Sequence, residues 1–321
     1  MLFWEKGGTR PLATVITQPR PQSGRIKDWI QEARPQYFLL PVVLILVGTS
    51  AAAWVNQGSF NIVYAFVALI GLVLCHASVN ILNDYFDFKS GVDLKTLKTP
   101  FSGGSGILPA GKLTAKQVLW YGIICFAIAV PIGIFFAVAE GWLLLPLLAL
   151  GGICILLYTS LILKNFFPEW SPGLGLGILP VLGAYFVQAG NYSWTALIAS
   201  VPCGFLVLNL LLLNEFPDVE ADLIGSKKTL PITAGKRWAA VVYSTFVILT
   251  YLWIIGAVIF GAMPLYCLLA LGTLPFAYKS IRGSFGYNDL NKILPAMQQN
   301  VLLVLVTQLL LGIGYILGTV I

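Results

Sequence analysis

The sequence predicts an all-α, polytopic membrane protein, and three observations carry that prediction. Of its 321 residues, 58 % are apolar and only 10 % are charged, against about a quarter charged in a soluble domain. The mean hydropathy is +0.86. The apolar residues gather into nine runs, most near the ~20 residues that a helix needs to cross ~30 Å of hydrocarbon. So few charges cannot coat a globule with a wettable surface. Soluble, disordered, collagen-like and disulfide-framework classes are excluded together.

Taken in order, residues 1–37 are polar, basic and proline-containing. They lack the short apolar core and small-residue cleavage site of a signal peptide, so a retained cytoplasmic tail is expected ahead of a membrane domain over 38–321. Spans are expected at 38–56, 60–82, 117–139, 142–161, 173–191, 195–213, 238–260, 263–280 and 300–321. Short turns such as Asn56-Gln57-Gly58, Glu140-Gly141 and Gly190-Asn191-Tyr192 join them on one side. Long polar stretches join them on the other.

All 19 Lys and Arg residues fall on the long-loop side. Lys6, Arg10, Arg20, Arg25, Lys27 and Arg34 precede span 1, and Lys89 through Lys116 come after span 2. Lys164 comes after span 4, Lys227 through Arg237 after span 6, and Lys279, Arg282 and Lys292 after span 8. By the positive-inside rule the N-terminus and long loops are cytoplasmic, and the C-terminus lies across the membrane. The net charge of +6 therefore reads as topology and attraction to anionic membrane lipid. It implies no nucleic-acid partner. The five cysteines sit inside apolar runs without metal-ligand spacing, as packing residues do.

Twelve of the thirteen acids share the cytoplasmic side, Glu140 being the exception, and they cluster twice. Span 2 ends in Asn80-Ile-Leu-Asn83-Asp84-Tyr85-Phe86-Asp87, with Asp93 beyond; span 6 ends in Asn214-Glu215-Phe216-Pro217-Asp218-Val219-Glu220-Ala221-Asp222. Both contain Asn, acid, aromatic, any residue, Asp. Each leads into a loop with Lys and Thr, four spans apart. The expected architecture is two four-helix repeats plus a ninth helix, around a central cavity open to the cytoplasmic side.

Helical spacing puts His76, Asn80, Asn83 or Asp84, and Asp87 on one face, and Asn214, Asp218 and Asp222 on another. Seven acids around one cavity (Asp84, Asp87, Asp93, Glu215, Asp218, Glu220, Asp222) repel one another and need cations. Carboxylates and amides without thiolates favour a hard ion such as Mg2+. Mg2+ takes one or two carboxylates and fills its shell with water and phosphate oxygens. Adjacent lysines add point charges for an anionic phosphate. The combination suits a lipid-tailed diphosphate, its head in the polar mouth and its chain between helices.

Other signals carry less. Gly106-Ile-Leu-Pro-Ala-Gly111-Lys112-Leu113 nearly matches a P-loop, but Leu113 replaces the Mg2+-binding Ser or Thr and Pro109 interrupts the loop. Gly103–Gly106 reads either as a flexible loop or as a lid with backbone N–H groups for phosphate. His76 is the single histidine, a packing residue or a site contact. Glu169 is a loop acid or lies on the acceptor side.

The paired motifs resemble the signatures of the UbiA-type intramembrane prenyltransferases, whose aspartate-rich motifs read Asn-x3-Asp-x3-Asp on the second and sixth of nine helices. Asn214, Asp218 and Asp222 match the second motif. Asn83 and Asp87 match the first, whose third position is Gly91, with Asp93 two residues on. The string from Asn83 to Asp93 looks like the branch that prenylates 1,4-dihydroxy-2-naphthoate in menaquinone synthesis. Ala33-Arg34-Pro35, Gly103–Gly106, Tyr158–Lys164 and Leu179–Gln188 are similar to that branch as well.

The resemblance implies a Mg2+-dependent enzyme of a bacterial or archaeal cell membrane. It would transfer a prenyl group from a polyprenyl diphosphate to an aromatic acceptor. It implies metal ligation by Asn83, Asp84, Asp87, Asp218 and Asp222, with Asn80, Asp93 and Asn214 lining the substrate site. Lys98, Lys164, Lys227 and Lys228 would contact the diphosphate, and Tyr158 would steady the allylic cation or the diphosphate. The same chemistry on 4-hydroxybenzoate, homogentisate, a haem or chlorin, or a glycerol-phosphate lipid is the alternative. No Arg lies between residues 83 and 116 to clamp a hydroxybenzoate carboxylate. A cation-coupled transporter would instead place its acids near the midplane.

Overall fold

The computed structural model describes residues 24–165 and 167–320; Lys6, Arg10 and Arg20 of the expected tail lie outside them. Among the described residues there is helix and no strand. The helices are α1 (Ile26–Glu32), α2 (Leu39–Val55), α3 (Ile62–Ser90), α4 (Ala115–Glu140), α5 (Leu144–Leu156) and α6 (Trp170–Ala189). They continue with α7 (Trp194–Asn214), α8 (Val219–Ile224), α9 (Lys236–Ile259), α10 (Leu274–Ser284) and α11 (Leu290–Val320).

Local chemistry sets the helix ends. The Asn61 side chain accepts from the N–H groups of Val63 and Tyr64 at 3.0 and 3.1 Å, satisfying donors that α3 would otherwise leave bare. Gly91 ends α3 at φ 83°, a conformation that glycine adopts without a Cβ clash. Thr114 and Gln117 form a reciprocal capping box on α4. Ser193 caps α7 through the Ala196 N–H at 3.1 Å.

Among the described residues, seven helices are long and apolar enough to cross a membrane, where nine spans were expected. The fourth expected span yields only the 13-residue α5 before the chain turns. The eighth is a 3-10 stretch over Leu265–Thr273 continued by α10. Pro275 there has no N–H for the carbonyl one turn earlier, which favours the tighter winding upstream. By contrast α3 runs on to Ser90, beyond its expected end, and carries the first acidic motif on the helix itself.

Neighbour packs on neighbour from α2 through α7 to α9, α10 and α11, and α11 returns to α2, closing a ring. The core includes Leu44 and Val47 of α2, Tyr185 of α6, Leu206 and Leu212 of α7, and Tyr315 of α11. Between membrane helices close packing and hydrogen bonds must supply the adhesion that water supplies elsewhere. A Cβ on Gly177 would lie 2.6 Å from the Gly204 Cα, so glycine lets α6 and α7 meet backbone to backbone. Tyr243 Oη donates to Asn300 Oδ1 at 2.9 Å, and Asn300 Nδ2 donates to the Asn209 carbonyl at 3.2 Å, joining α9, α11 and α7.

The expected tail is folded where it is described. Asp28 lies 3.6 Å from the Lys112 ammonium, and Ser105 Oγ donates to Glu32 Oε2 at 2.6 Å. These contacts strap α1 across the glycine-containing loop after α3. That loop roofs the site.

Candidate active site

A cavity of about 260 Å3 opens at one end of the ring, lined by parts of α2, α3, α5, α6, α7 and α11 and by the loops after α3 and α7. Both acidic motifs reach it. From α3 come His76, Asn80, Asn83 and Asp87; from the end of α7 and beyond come Asn214, Glu215, Asp218, Asp222 and Lys227. Leu39, Leu40, Leu72, Val301, Val304 and Leu305 form its apolar part. The choice between Asn83 and Asp84 for the α3 face falls to Asn83.

The two motifs are joined by one side chain. The Lys227 ammonium lies 3.0 Å from Asp87 Oδ2 and 2.9 Å from Asp222 Oδ1, with 9 % of the lysine side chain exposed. Burial works against its charge, but the two carboxylates outweigh burial and hold its pKa above the usual lysine range. Asp218 accepts a hydrogen bond from Ser102 Oγ at 3.4 Å. Burial and the neighbouring Asp222 charge push its carboxyl up to about 7. Asp93, on the opposite loop, is pushed up to about 7 by burial and the Asp87 charge.

The amides complete the wall. Asn83 Nδ2 donates to Thr159 Oγ1 at 3.0 Å, which turns its carbonyl oxygen away from that contact. Asn214 Oδ1 and Asn80 Nδ2 are buried without hydrogen-bond partners. Tyr158, half-buried in the turn beyond α5, also lines the cavity.

Four of the expected site residues lie off the cavity wall. Asp84 is 1 % exposed and is not on the cavity wall. Its carboxylate pairs with Arg34 and accepts the Ser105 N–H at 2.8 Å, so it holds the roof loop rather than facing an ion. Lys98 donates its Nζ to the Ser105 carbonyl at 2.5 Å and lies outside the wall. Lys164 and Lys228 are exposed and also lie outside it. Of the four lysines expected at the diphosphate, Lys227 alone reaches the chamber.

Sequence reasoning gave no role to Arg34, Ser102 or Thr159. Arg34 sits at φ 53°, directly before Pro35, whose ring disfavours helical backbone in the residue ahead of it. That dipeptide was the available signal for a turn here. Glu215 and Glu169 were both seen but not paired. Glu169 is fully buried and accepts the Leu230 N–H at 2.6 Å. Burial and the Glu169 carboxyl hold Glu215 well above the usual carboxylate range, which favours its neutral acid.

Among the described residues no three His, Cys, Asp or Glu side chains converge as a preformed metal cage. The donors nevertheless suit Mg2+, which needs few protein ligands when phosphate and water supply the rest. Two carboxylates already share one cation, and an unpartnered amide oxygen stands in the same chamber.

Comparison with known proteins gives this geometry its relatives. A 1,4-dihydroxy-2-naphthoate octaprenyltransferase of Bacillus subtilis (strain 168) is 27 % identical over 271 residues, covering 83 % of this chain and 85 % of its own. One from Escherichia coli (strain K12) is 26 % identical over 305 residues, covering 92 % and 97 %. A digeranylgeranylglyceryl phosphate synthase of Thermococcus kodakarensis is 26 % identical over 232 residues, covering 70 % and 75 %. In fold, the chain is similar to a UbiA homolog from Archaeoglobus fulgidus bound to DMAPP and Mg2+. The TM-score is 0.61 at 15 % identity, covering 90 % of this chain and 99 % of that one. The UbiA prenyltransferase family model matches residues 42–315, and with both acidic motifs on one chamber inside that span, this integral membrane chain belongs to the UbiA prenyltransferase family.

Proposed function

We propose that the chain transfers a polyprenyl group from its diphosphate to 1,4-dihydroxy-2-naphthoate, the prenylation step of menaquinone synthesis. The observation that carries the reading is the meeting of the two motifs across a chamber that is polar at one end and apolar at the other. The naphthoate-prenylating relatives, aligned over most of the chain, support this acceptor. The glycerol-phosphate relative keeps a lipid acceptor as the second reading.

In this mechanism Asp87, Asp218 and Asp222, with the Asn83 amide oxygen, would hold Mg2+. When bound, the ion supplies Lewis-acid charge that stabilises the departing diphosphate. Lys227 donates to diphosphate oxygens, and Asn80, Asp93 and Asn214 border the same head group. The allylic carbon–oxygen bond breaks, an electron-rich ring carbon of the acceptor bonds to the prenyl carbon, and the ring then loses its proton. The Tyr158 ring face steadies the allylic cation. Leu39, Leu40, Leu72 and Leu305 keep water from capturing it. At about 260 Å3 the chamber is smaller than the ~300–1,000 Å3 typical of pockets that engulf a whole ligand. It therefore encloses the reacting end, and the tail extends between helices. The charge pattern argues for the chamber mouth, the N-terminus and the long loops on the cytoplasmic side of a bacterial or archaeal cell membrane.

The test is expression in a host lacking its own naphthoate prenyltransferase, with mass spectrometry of the lipid quinones. Demethylmenaquinone is expected with the native chain and absent with Asp87→Ala or Asp218→Ala. Full turnover by both variants would refute the site. A prenylated product on another acceptor alone would refute the naphthoate assignment.

A further inference from the structure

We propose that Lys227 is a resident counter-ion, holding the metal-binding carboxylates closed until a diphosphate arrives and draws its ammonium away. This rests on the diphosphate reading above and adds an order of binding to it. Asp87 belongs to α3 and Asp222 to α8, and the ammonium between them touches both at 3.0 and 2.9 Å. It thus neutralises one carboxylate of each motif, the same groups that would hold a divalent ion.

Charge sets the order in which the ligands enter. Like charges only a few ångströms apart repel strongly where water is partly excluded. A divalent ion approaching carboxylates already neutralised by an ammonium meets that repulsion twice over. Arg34 offers no alternative arrangement, because its guanidinium is paired with Asp84. The ammonium needs another anion before it can leave, and diphosphate oxygens entering the chamber provide one. A flexible stem carrying a compact charge suits lysine to such a transfer. Metal alone then binds poorly, and metal and diphosphate each strengthen the other's binding by the same factor.

The experiment uses the full chain in detergent, with Mn2+ as a spectroscopic probe for Mg2+ and inorganic pyrophosphate as the anion. Mn2+ affinity is measured by electron paramagnetic resonance titration, with free Mn2+–pyrophosphate complexes subtracted. In the native chain, pyrophosphate is expected to raise Mn2+ affinity at least tenfold. Lys227→Met is expected to bind Mn2+ alone at least tenfold more tightly than the native chain, with the pyrophosphate effect reduced severalfold. Mn2+ binding by the native chain that ignores pyrophosphate overturns the proposal without any variant. So does a folded Lys227→Met chain that binds Mn2+ alone no better than the native one. Failure of the quinone assay with metal and pyrophosphate still cooperative would remove the acceptor reading and leave this one standing.

Discussion

Arg34 and Asp84 form a buried ion pair that ties the strap preceding α2 to the acidic end of α3. Removing one partner of such a pair leaves an uncompensated charge and costs about 3–5 kcal/mol. Arg34→Ala and Asp84→Ala are each expected to lower thermal stability in detergent, and the double variant to lose less than the two losses added. Asp84→Asn should leave the Mg2+ concentration for half-maximal turnover within about threefold. A tenfold rise in that concentration would return Asp84 to the ion site.

The chamber carboxylates should behave differently. Asp87→Asn and Asp218→Asn keep side-chain shape and remove charge, and turnover is expected to fall at least a hundredfold with the fold intact by circular dichroism. Glu220 belongs to the same acidic string but is exposed and off the wall. Glu220→Gln should stay within about twofold of the native rate. Equal losses in all three would mean that net charge near the mouth matters and the named positions do not.

The Asp218 carboxyl is pushed up to about 7 by burial and the Asp222 charge, so metal binding there should depend on pH. Below that value the carboxyl carries a proton that a metal must displace; above it the carboxylate is already bare. Apparent Mn2+ affinity in the presence of pyrophosphate should therefore fall about tenfold per pH unit below ~7 for each proton displaced, and level off above it. Calorimetry in two buffers of different ionisation enthalpy, at pH 6 and pH 8, measures the released proton. No release at pH 6 would exclude this competition.

Close helix packing offers a test independent of chemistry. Gly177→Ala would drive a methyl group into the Gly204 backbone, and overpacking of this kind costs about 1–3 kcal/mol. Gly256 on α9 has nothing within 4 Å of its would-be Cβ. Gly256→Ala should be neutral, or stabilising by up to about 1 kcal/mol. Thermal unfolding of the two variants in the same detergent checks the contrast.

Much of this was legible in the sequence for a physical reason. Helical spacing alone puts Asn80, Asn83 or Asp84, and Asp87 on one side of α3, and one-sided basic loops place that side at a single membrane face. Spacing could not choose between Asn83 and Asp84, because neighbouring residues on a helix edge both lean toward a cavity. The choice is made by Arg34, which belongs to a different element and takes Asp84 for itself. That Lys98, Lys164 and Lys228 lie off the wall was hidden for a related reason: composition marks a loop as basic without saying which ammonium turns inward. The unwinding at Leu265–Thr273 was equally hidden, since hydropathy registers Pro275 only weakly.

The return of α11 to α2 has a bearing on biogenesis. A ribosome releases α2 long before α11 exists, so the pair that seals the barrel-like enclosure meets only once α11 has been made. Until then nothing from α11 can cover the α2 side of the carboxylate-bearing interior. Shortening α11 should therefore yield an inserted but unsealed product, vulnerable to quality-control proteolysis, rather than a weaker catalyst.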